Sequence, residues 1–383
     1  MTFSINHDIK IPTRIIHGIG SRKKLPELLK GTRPLIVTDV GLVKAGIPDM
    51  VIQVLNNHSI DHTLFDGALP NPPAKCVHAG AKHYKDENCT SILAIGGGSA
   101  MDVAKMIGVV VSHGGRIDRF LGANKITKNI PPLYCVATTY GTGSEVTPFA
   151  VLTNPKTQNK DPVISWRIAP LAGILDPELC VSLPLSVGGP TGMDALTHAI
   201  ESYTNLLSTP ITDAFSLQAI SLIGENLILA CSNDYEMQAT ENMLIASMLA
   251  GMAFSQTRLG NVHAMSHPTG AQYGVHHGLA NAILLPYVME FNFPSRIHKF
   301  GNIAKALGAD VAGLSRREAA ETAIDYVWTL NEDLQIPKTL GECGVKKSGI
   351  RRLSKATMDS GNVSVNPRKT LRSDIEAIFN RAI

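Results

Sequence analysis

The 383-residue sequence has no Cys-x-x-Cys pair, no basic run and no basic-aromatic tract. Each absence removes a class of function. The six cysteines (76, 89, 135, 180, 231 and 343) are scattered, so neither a disulfide framework nor a thiolate zinc site is expected. Reduced thiols in a cytoplasm fit this usage better. The formal net charge is only +3, which argues against a nucleic-acid partner. The N-terminal stretch MTFSINHDIKIPTRIIHG breaks its apolar residues with acidic and polar ones, so it lacks the continuous apolar core of a signal peptide. No window reaches the ~18 uncharged apolar residues that a membrane span needs, so no membrane association is expected. Internal repeats and low-complexity segments are also missing. What remains is a chain with 44% hydrophobic and 17% charged residues, the balance of a protein that buries large cores. Its length exceeds the ~100–200 residues usual for one domain, so two are expected.

The first half alternates two textures. Short apolar runs at 33–39 (RPLIVTD), 91–95 (SILAI) and 132–138 (PLYCVAT) each end at polar residues or glycine. Helical stretches such as 74–85 and 100–111 lie between them. Buried strands separated by helices indicate a mostly parallel, Rossmann-like sheet covered on both faces. From residue 191 onward strand-like runs nearly vanish. Stretches 212–230, 237–254 and 317–330 carry apolar residues three and four apart, the period of helices. The Pro- and Gly-bearing segment SLPLSVGGP, 182–190, reads as a linking loop. The expected division is therefore an α/β nucleotide-binding domain over 1–184 and an all-helical metal-binding domain over 185–383, with a cleft between them.

Ile95-Gly96-Gly97-Gly98-Ser99 follows a strand and opens a helix. Glycines let a backbone approach an anion, and the N–H groups and positive end of the helix then hold a phosphate. The bland alternative is a tight strand–helix turn. Asp102 is placed in the first helical turn, where a carboxylate complements the dipole. Asp39 ends an earlier strand. It reads either as an acceptor for an adenosine ribose, which would repel a 2′-phosphate and favour NAD over NADP, or as a helix N-cap. The hydroxyl- and glycine-rich Thr138-Thr139-Tyr140-Gly141-Thr142-Gly143-Ser144-Glu145 follows the third strand, where it can wrap a pyrophosphate or nicotinamide. The acid precedes the glycine loop and the GxGxxG spacing is absent, so the site differs from the usual dinucleotide fingerprint.

Four side chains stand out in the helical half. Asp194 and His198, at i and i+4 in GMDALTHAIESY, share one helix face. His263 lies in LGNVHAMSHPTGA and His277 in VHHGLANAILLP. One carboxylate and three imidazoles suit a borderline divalent ion such as Fe²⁺ or Zn²⁺ with room for a substrate oxygen. His267, four residues after His263, reads as a fifth ligand, a proton carrier or a packing residue. Glu201, one turn past His198, is either a partner of that histidine or a solvated helix residue. Gly260, Gly270 and Gly278 point to close backbone approach.

At these residues the sequence resembles the iron-dependent (group III) alcohol dehydrogenases. The resemblance covers essentially the whole chain: IGGGSAMDVAK, TTYGTGSEVT, ILDPEL, TGMDALTHAIESY, LGNVHAMSHPTGA, HHGLANAILLPYVMEFN and SVNPRK. The texture looks closest to the propanediol, lactaldehyde and methanol dehydrogenases of that family. The resemblance implies an architecture shared with dehydroquinate synthase-like proteins, and it implies Asp194, His198, His263 and His277 as ligands of Fe²⁺, with Zn²⁺ or Mn²⁺ as alternatives. It further implies Gly97, Gly98, Ser99 and Asp102 against the NAD(H) pyrophosphate, with Thr138, Thr139, Thr142, Lys160 and Leu179 lining the cofactor. Asp39 matches the position that disfavours NADP, and His267 a histidine near the nicotinamide assigned to proton relay. The implied reaction is hydride transfer between NAD(H) and a small primary alcohol or aldehyde, in a homodimer or larger homo-oligomer.

Departures from the family pattern concern the substrate. Tyr140 replaces a small residue, PTG at 268–270 replaces QLG, Arg258 interrupts FSQTRLG and His276 replaces a common proline. If Arg258 and His276 reach the pocket, an anionic-tailed aldehyde such as sulfoacetaldehyde, reduced to isethionate, becomes the alternative substrate. A dehydroquinate synthase-like lyase is the rival enzyme class. It would need many basic side chains for a phosphorylated substrate, and few lie near the histidine segments. A non-enzymatic metal- or nucleotide-binding protein would not need an open metal position, three histidines and a glycine loop together.

Overall fold

The structure is a computed structural model. It describes residues 8–70, 72–154, 159–232 and 236–383, with the backbone alone at 153, 154, 159 and 160. Six strands form one sheet: β1 (Arg14–His17), β2 (Pro34–Val37), β3 (Thr63–Phe65), β4 (Ser91–Gly96), β6 (Leu133–Ala137) and β9 (Ala172–Leu175). Their order is β1-β9-β6-β4-β2-β3, and all neighbours run parallel. The inner strands are apolar throughout because both sheet faces are covered. Ile36, Leu93, Ile95, Val136 and Ile174 pack with Leu25, Leu29, Val51 and Leu55 of α1 (Leu25–Leu29) and α3 (Ile47–Asn57). Leu35, Val37, Ile92, Ala94 and Cys135 face the other way. There they meet α4 (Ala74–Asp86) and α5 (Gly98–His113).

The short α2 (Val40–Lys44) follows β2. From β2 the chain goes to β3 on one side, and returns through α4 to β4 on the other side. The strand order reverses there, and the crevice outside the carboxyl ends of such strands is where parallel α/β sheets bind ligands. A small second sheet, not foreseen in the sequence, joins β5 (Gly122–Ala123), β8 (Asn159–Ile164) and β7 (Phe149–Asn154) in that order, with β7 and β8 antiparallel.

Among the described residues no strand follows β9. The helices are α6 (Leu185–Thr204), α7 (Pro210–Ala230), α8 (Met237–Thr257), α9 (Asn261–Tyr273), α10 (His277–Asn292), α11 (Ile297–Ala306), α12 (Arg316–Asp333), α13 (Ile350–Met358) and α14 (Arg372–Ala382). α6 is buried from Gly188 to Thr204 and packs against α7, α8 and α10. One continuous core joins the α4/α5 side of the sheet to these helices.

The loop expected at 182–190 is corrected by the structure: α6 starts at Leu185 and runs through Gly188-Gly189-Pro190. Packing overrides local propensity here. A side chain at Gly188 would meet the Tyr140 hydroxyl at 2.5 Å. The Thr191 hydroxyl donates to the Val187 carbonyl at 2.8 Å, adding side-chain support around Pro190, which lacks an N–H. Tyr140 itself is fully buried, so the unusual residue in the hydroxyl-rich loop fills the core beside the glycines of α6.

Candidate metal centre and cofactor cleft

Asp39, the glycine loop and Thr138 follow β2, β4 and β6, which are adjacent in the sheet. The glycine loop is built for close approach. A Cβ on Gly97 would lie 3.0 Å from Thr139 Oγ1, and one on Gly98 would lie 2.8 Å from Thr142 Cγ2. α5 starts without a side-chain cap, so its first N–H groups suit an anion. Thr138 Oγ1 and Thr38 Oγ1 are buried and make no hydrogen bond. These orphaned hydroxyls, the uncapped helix and the tight glycine cradle fit a bound dinucleotide. Ser99 is half-buried in the first turn of α5. Asp39 caps α2, its Oδ1 accepting the Leu42 N–H at 3.0 Å, so the N-cap reading describes its geometry.

Two of the expected cofactor residues are placed differently from expectation, and the side chain of a third is not described. Asp102 is the fifth residue of α5, outside the first turn. Its carboxylate accepts from the Ser144 hydroxyl (3.2 Å) and the Val151 N–H (3.0 Å), which ties down the neighbouring loop. Leu179 is buried in the same core cluster as Ile174 and Leu25. Lys160 lies on β8, and its side chain falls outside the described residues.

The candidate metal centre draws on three helices. Asp194 and His198 project from α6, His263 from α9, and His277 is the first residue of α10. The Nε2 atoms of His198, His263 and His277 lie 3.9, 3.7 and 3.8 Å from Asp194 Oδ1. Asp194, His263 and His277 each present one ligand atom within a 4.8 Å cluster. The ring orientations have causes. His263 Nδ1 bonds Glu201 Oε2 at 2.7 Å, and Glu201 Oε1 also accepts the Val262 N–H at 2.6 Å. Glu201 is thus a buried partner of His263, not of His198. A side chain at Gly260 would sit 2.9 Å from that carboxylate. His198 Nδ1 lies 3.2 Å from the Gly141 carbonyl. With Nδ1 engaged, the Nε2 atoms of His198 and His263 face Asp194. Gly278 lets α10 approach the Pro190 carbonyl, where any side chain would collide.

Burial alone would raise the Asp194 pKa, but His198, His277 and the His263 hydrogen bond hold it well below the carboxylate range. Burial pushes His198 down to about 4. Burial opposes protonation of His263, yet its bonds to Asp194 and Glu201 prevail and raise it to about 9. An ionised carboxylate facing three imidazoles is a donor set for a divalent cation. Sequence reasoning missed Asn281, whose Nδ2 lies 2.6 Å from Asp194 Oδ1, 3.1 Å from His263 Nε2 and 3.3 Å from His277 Nε2. Its i+4 spacing from His277 was the available signal. Asn281 Oδ1 is buried and makes no hydrogen bond, an orphaned polar atom beside the donor set, so the residues present fit a cation.

The two halves meet at the centre. Gly141, in the hydroxyl-rich loop, supplies the carbonyl that faces His198. The rings of Phe149, Phe254, His198 and His263 stack in a column with centroid spacings of 5.9, 4.4 and 4.6 Å. The half-buried His267 ring lies 5.9 Å from His263 and 5.2 Å from His277. His276 is exposed. Arg258 is exposed too, its guanidinium beside Gly361, and its backbone has φ +67.

The family model for iron-containing alcohol dehydrogenases matches residues 12–177, and that for the C-terminal part of the Fe-containing alcohol dehydrogenase family matches 190–383. The chain belongs to the iron-containing alcohol dehydrogenases. It is an oxidoreductase. The 1,3-propanediol dehydrogenase of Klebsiella pneumoniae is 42% identical over 358 residues, covering 93% of this chain and 92% of its own. The NAD-dependent methanol dehydrogenase of Bacillus methanolicus is 40% identical, covering 97% and 99%. The crystal structure of a 1,3-propanediol oxidoreductase superposes with a TM-score of 0.96 at 40% identity, over 99% of this chain and all of that one. Among the described residues no helix of the enzyme is long and apolar enough to cross a membrane.

Proposed function

We propose that the enzyme passes a hydride between NAD(H) and a small primary alcohol or aldehyde, as a cytoplasmic homo-oligomer. Residues 1–184 hold the nucleotide and 185–383 the cation, with Fe²⁺ as the resident ion and Zn²⁺ or Mn²⁺ compatible with the same donors. When bound, the cation supplies Lewis acidity toward an oxygen atom, and the nicotinamide accepts or gives the hydride. The observation that carries this reading is the shared bond between the halves: a metal-facing histidine, His198, leans on Gly141 of the cofactor loop.

Asp194, His198, His263 and His277 hold the ion, and Glu201 orients His263. The N-terminus of α5 with Gly97, Gly98 and Ser99 holds the pyrophosphate. Thr138, Thr139 and Thr142 line the cofactor, and the Asp39 charge disfavours a 2′-phosphate. Phe149 and Phe254 exclude water from one side of the centre. His267 carries the proton at its ring, beside His263 and His277. The exposure of Arg258 and His276 leaves the neutral aldehyde as the favoured substrate over sulfoacetaldehyde.

The test is NADH and NADPH oxidation by anaerobically iron-loaded enzyme, with propanal, 3-hydroxypropanal and sulfoacetaldehyde, and metal content measured alongside. Turnover of the neutral aldehydes with NADH is expected. A fully iron-loaded enzyme that oxidises NADH with none of the three would end the reading.

A further inference from the structure

Lys105 is fully buried on α5, one turn past Asp102, and the reaction scheme gives it no part. Its Nζ lies within hydrogen-bond distance of five oxygens of one loop. Three are main-chain carbonyls, those of Ser144 (2.7 Å), Thr147 (3.0 Å) and Phe149 (2.7 Å). Two are hydroxyls, Ser144 Oγ (2.9 Å) and Thr147 Oγ1 (3.2 Å). An ammonium group has only three N–H donors, so this shell exceeds what hydrogen bonding alone requires. Converging carbonyl dipoles form the kind of cage that replaces the hydration shell of a monovalent cation. Their negative ends repel one another unless a positive charge sits between them.

We infer that Lys105 is a positioning residue whose tethered ammonium serves as the structural cation of the loop 144–149, and that this cation shapes the cofactor cleft. The route is short. Ser144 follows Thr142, which meets Gly98, and Gly143, whose N–H donates to Ser247 of α8 at 3.2 Å. Phe149, held through its carbonyl, stacks on Phe254, which stacks on His198. The cation therefore sets the loop against the glycine cradle on one side and against the metal-facing ring column on the other. Burial pushes the Lys105 pKa down, and the charges of Asp102 and Glu145 oppose that. The inference rests on the reading of 138–145 as the cofactor loop.

The experiment measures NADH affinity by fluorescence titration, with metal content and melting temperature, for the wild-type enzyme and for Lys105→Ala. The Lys105→Ala cavity has room for n-propylammonium, which replaces the deleted methylenes and charge. NADH affinity is expected to fall about tenfold or more, equivalent to about 1.4 kcal/mol per decade. It should return with n-propylammonium and not with tetramethylammonium, which has the charge but no N–H. Metal content should stay at the wild-type level. Thr147→Val removes one cage oxygen at nearly constant shape, with an expected severalfold loss of NADH affinity and an unchanged melting temperature. Wild-type NADH affinity in both variants overturns the inference, as does a loss that n-propylammonium leaves unmoved. A wild-type enzyme that holds its metal but binds no NADH overturns the cofactor-loop reading instead.

Discussion

The proposed cation half and cofactor half are built by opposite means. At the proposed metal centre the candidate donors are side chains on three buried helices, and His198 and His263 are each held by a second bond, from Gly141 and Glu201. In the proposed cofactor cleft the working surface is main chain. It is made of glycines with no room for a Cβ, an uncapped helix start, and hydroxyls without partners. A small, charge-dense ion needs donors fixed to within a fraction of an ångström, and rigid helices with bonded rings supply that. A long, flexible dinucleotide needs an accessible backbone and many weak contacts. Damage should therefore be all-or-none in one half and graded in the other.

That contrast can be broken at its strongest point first. His263→Ala removes a proposed ligand, and turnover should fall at least about a thousandfold, because the Lewis acidity lost is worth several kcal/mol. Metal analysis should show the iron gone while NADH still binds. Lost NADH binding in a folded variant would mean the halves are not separable. Glu201→Gln keeps the shape but removes the charge beside His263, and iron affinity should weaken about 10–100-fold. Competition with a chelator reads that change directly. In the other half, Gly98→Ala places a methyl 2.8 Å from Thr142. NADH affinity should drop about tenfold at unchanged iron content, since the loop must shift away from the phosphate.

The smallest effect is expected at Arg258, which lies near the centre in sequence but belongs to neither half of the contrast. Its φ of +67 is one that L residues adopt at a cost. Arg258→Gly should raise stability by about 1 kcal/mol, the strain relieved less the extra freedom of the unfolded chain. The urea midpoint would report it. A large loss of turnover with neutral aldehydes in this variant would instead give the guanidinium a place in the pocket.

Much of the arrangement was legible because its periods are local. The i, i+4 pair Asp194 and His198 needed only helix geometry to share a face. The strand ends at Asp39, Gly97 and Thr138 were marked by apolar runs stopping at polar or glycine residues. The run 182–190 misled because Gly-Gly-Pro is a strong breaker in isolation, and only burial against Tyr140 and α10 carries a helix through it. Asp102 was misplaced by under a turn, since the helix starts at Gly98, and Leu179 went into the core. The β7–β8 hairpin gave little signal, its strands being interrupted by polar residues around 155–161.

The amino-acid sequence alone determined which side chains this dehydrogenase has for a cation and where its backbone opens for a phosphate, because residue type and short spacing are properties of the chain itself. Folding decided which of them meet. That the Glu201 carboxylate supports His263, 62 residues away, that Asn281 contacts Asp194, His263 and His277, and that the Lys105 ammonium gathers five oxygens from one loop are long-range facts. They follow from how α6, α9, α10 and the sheet pack, and packing is a property of the whole core.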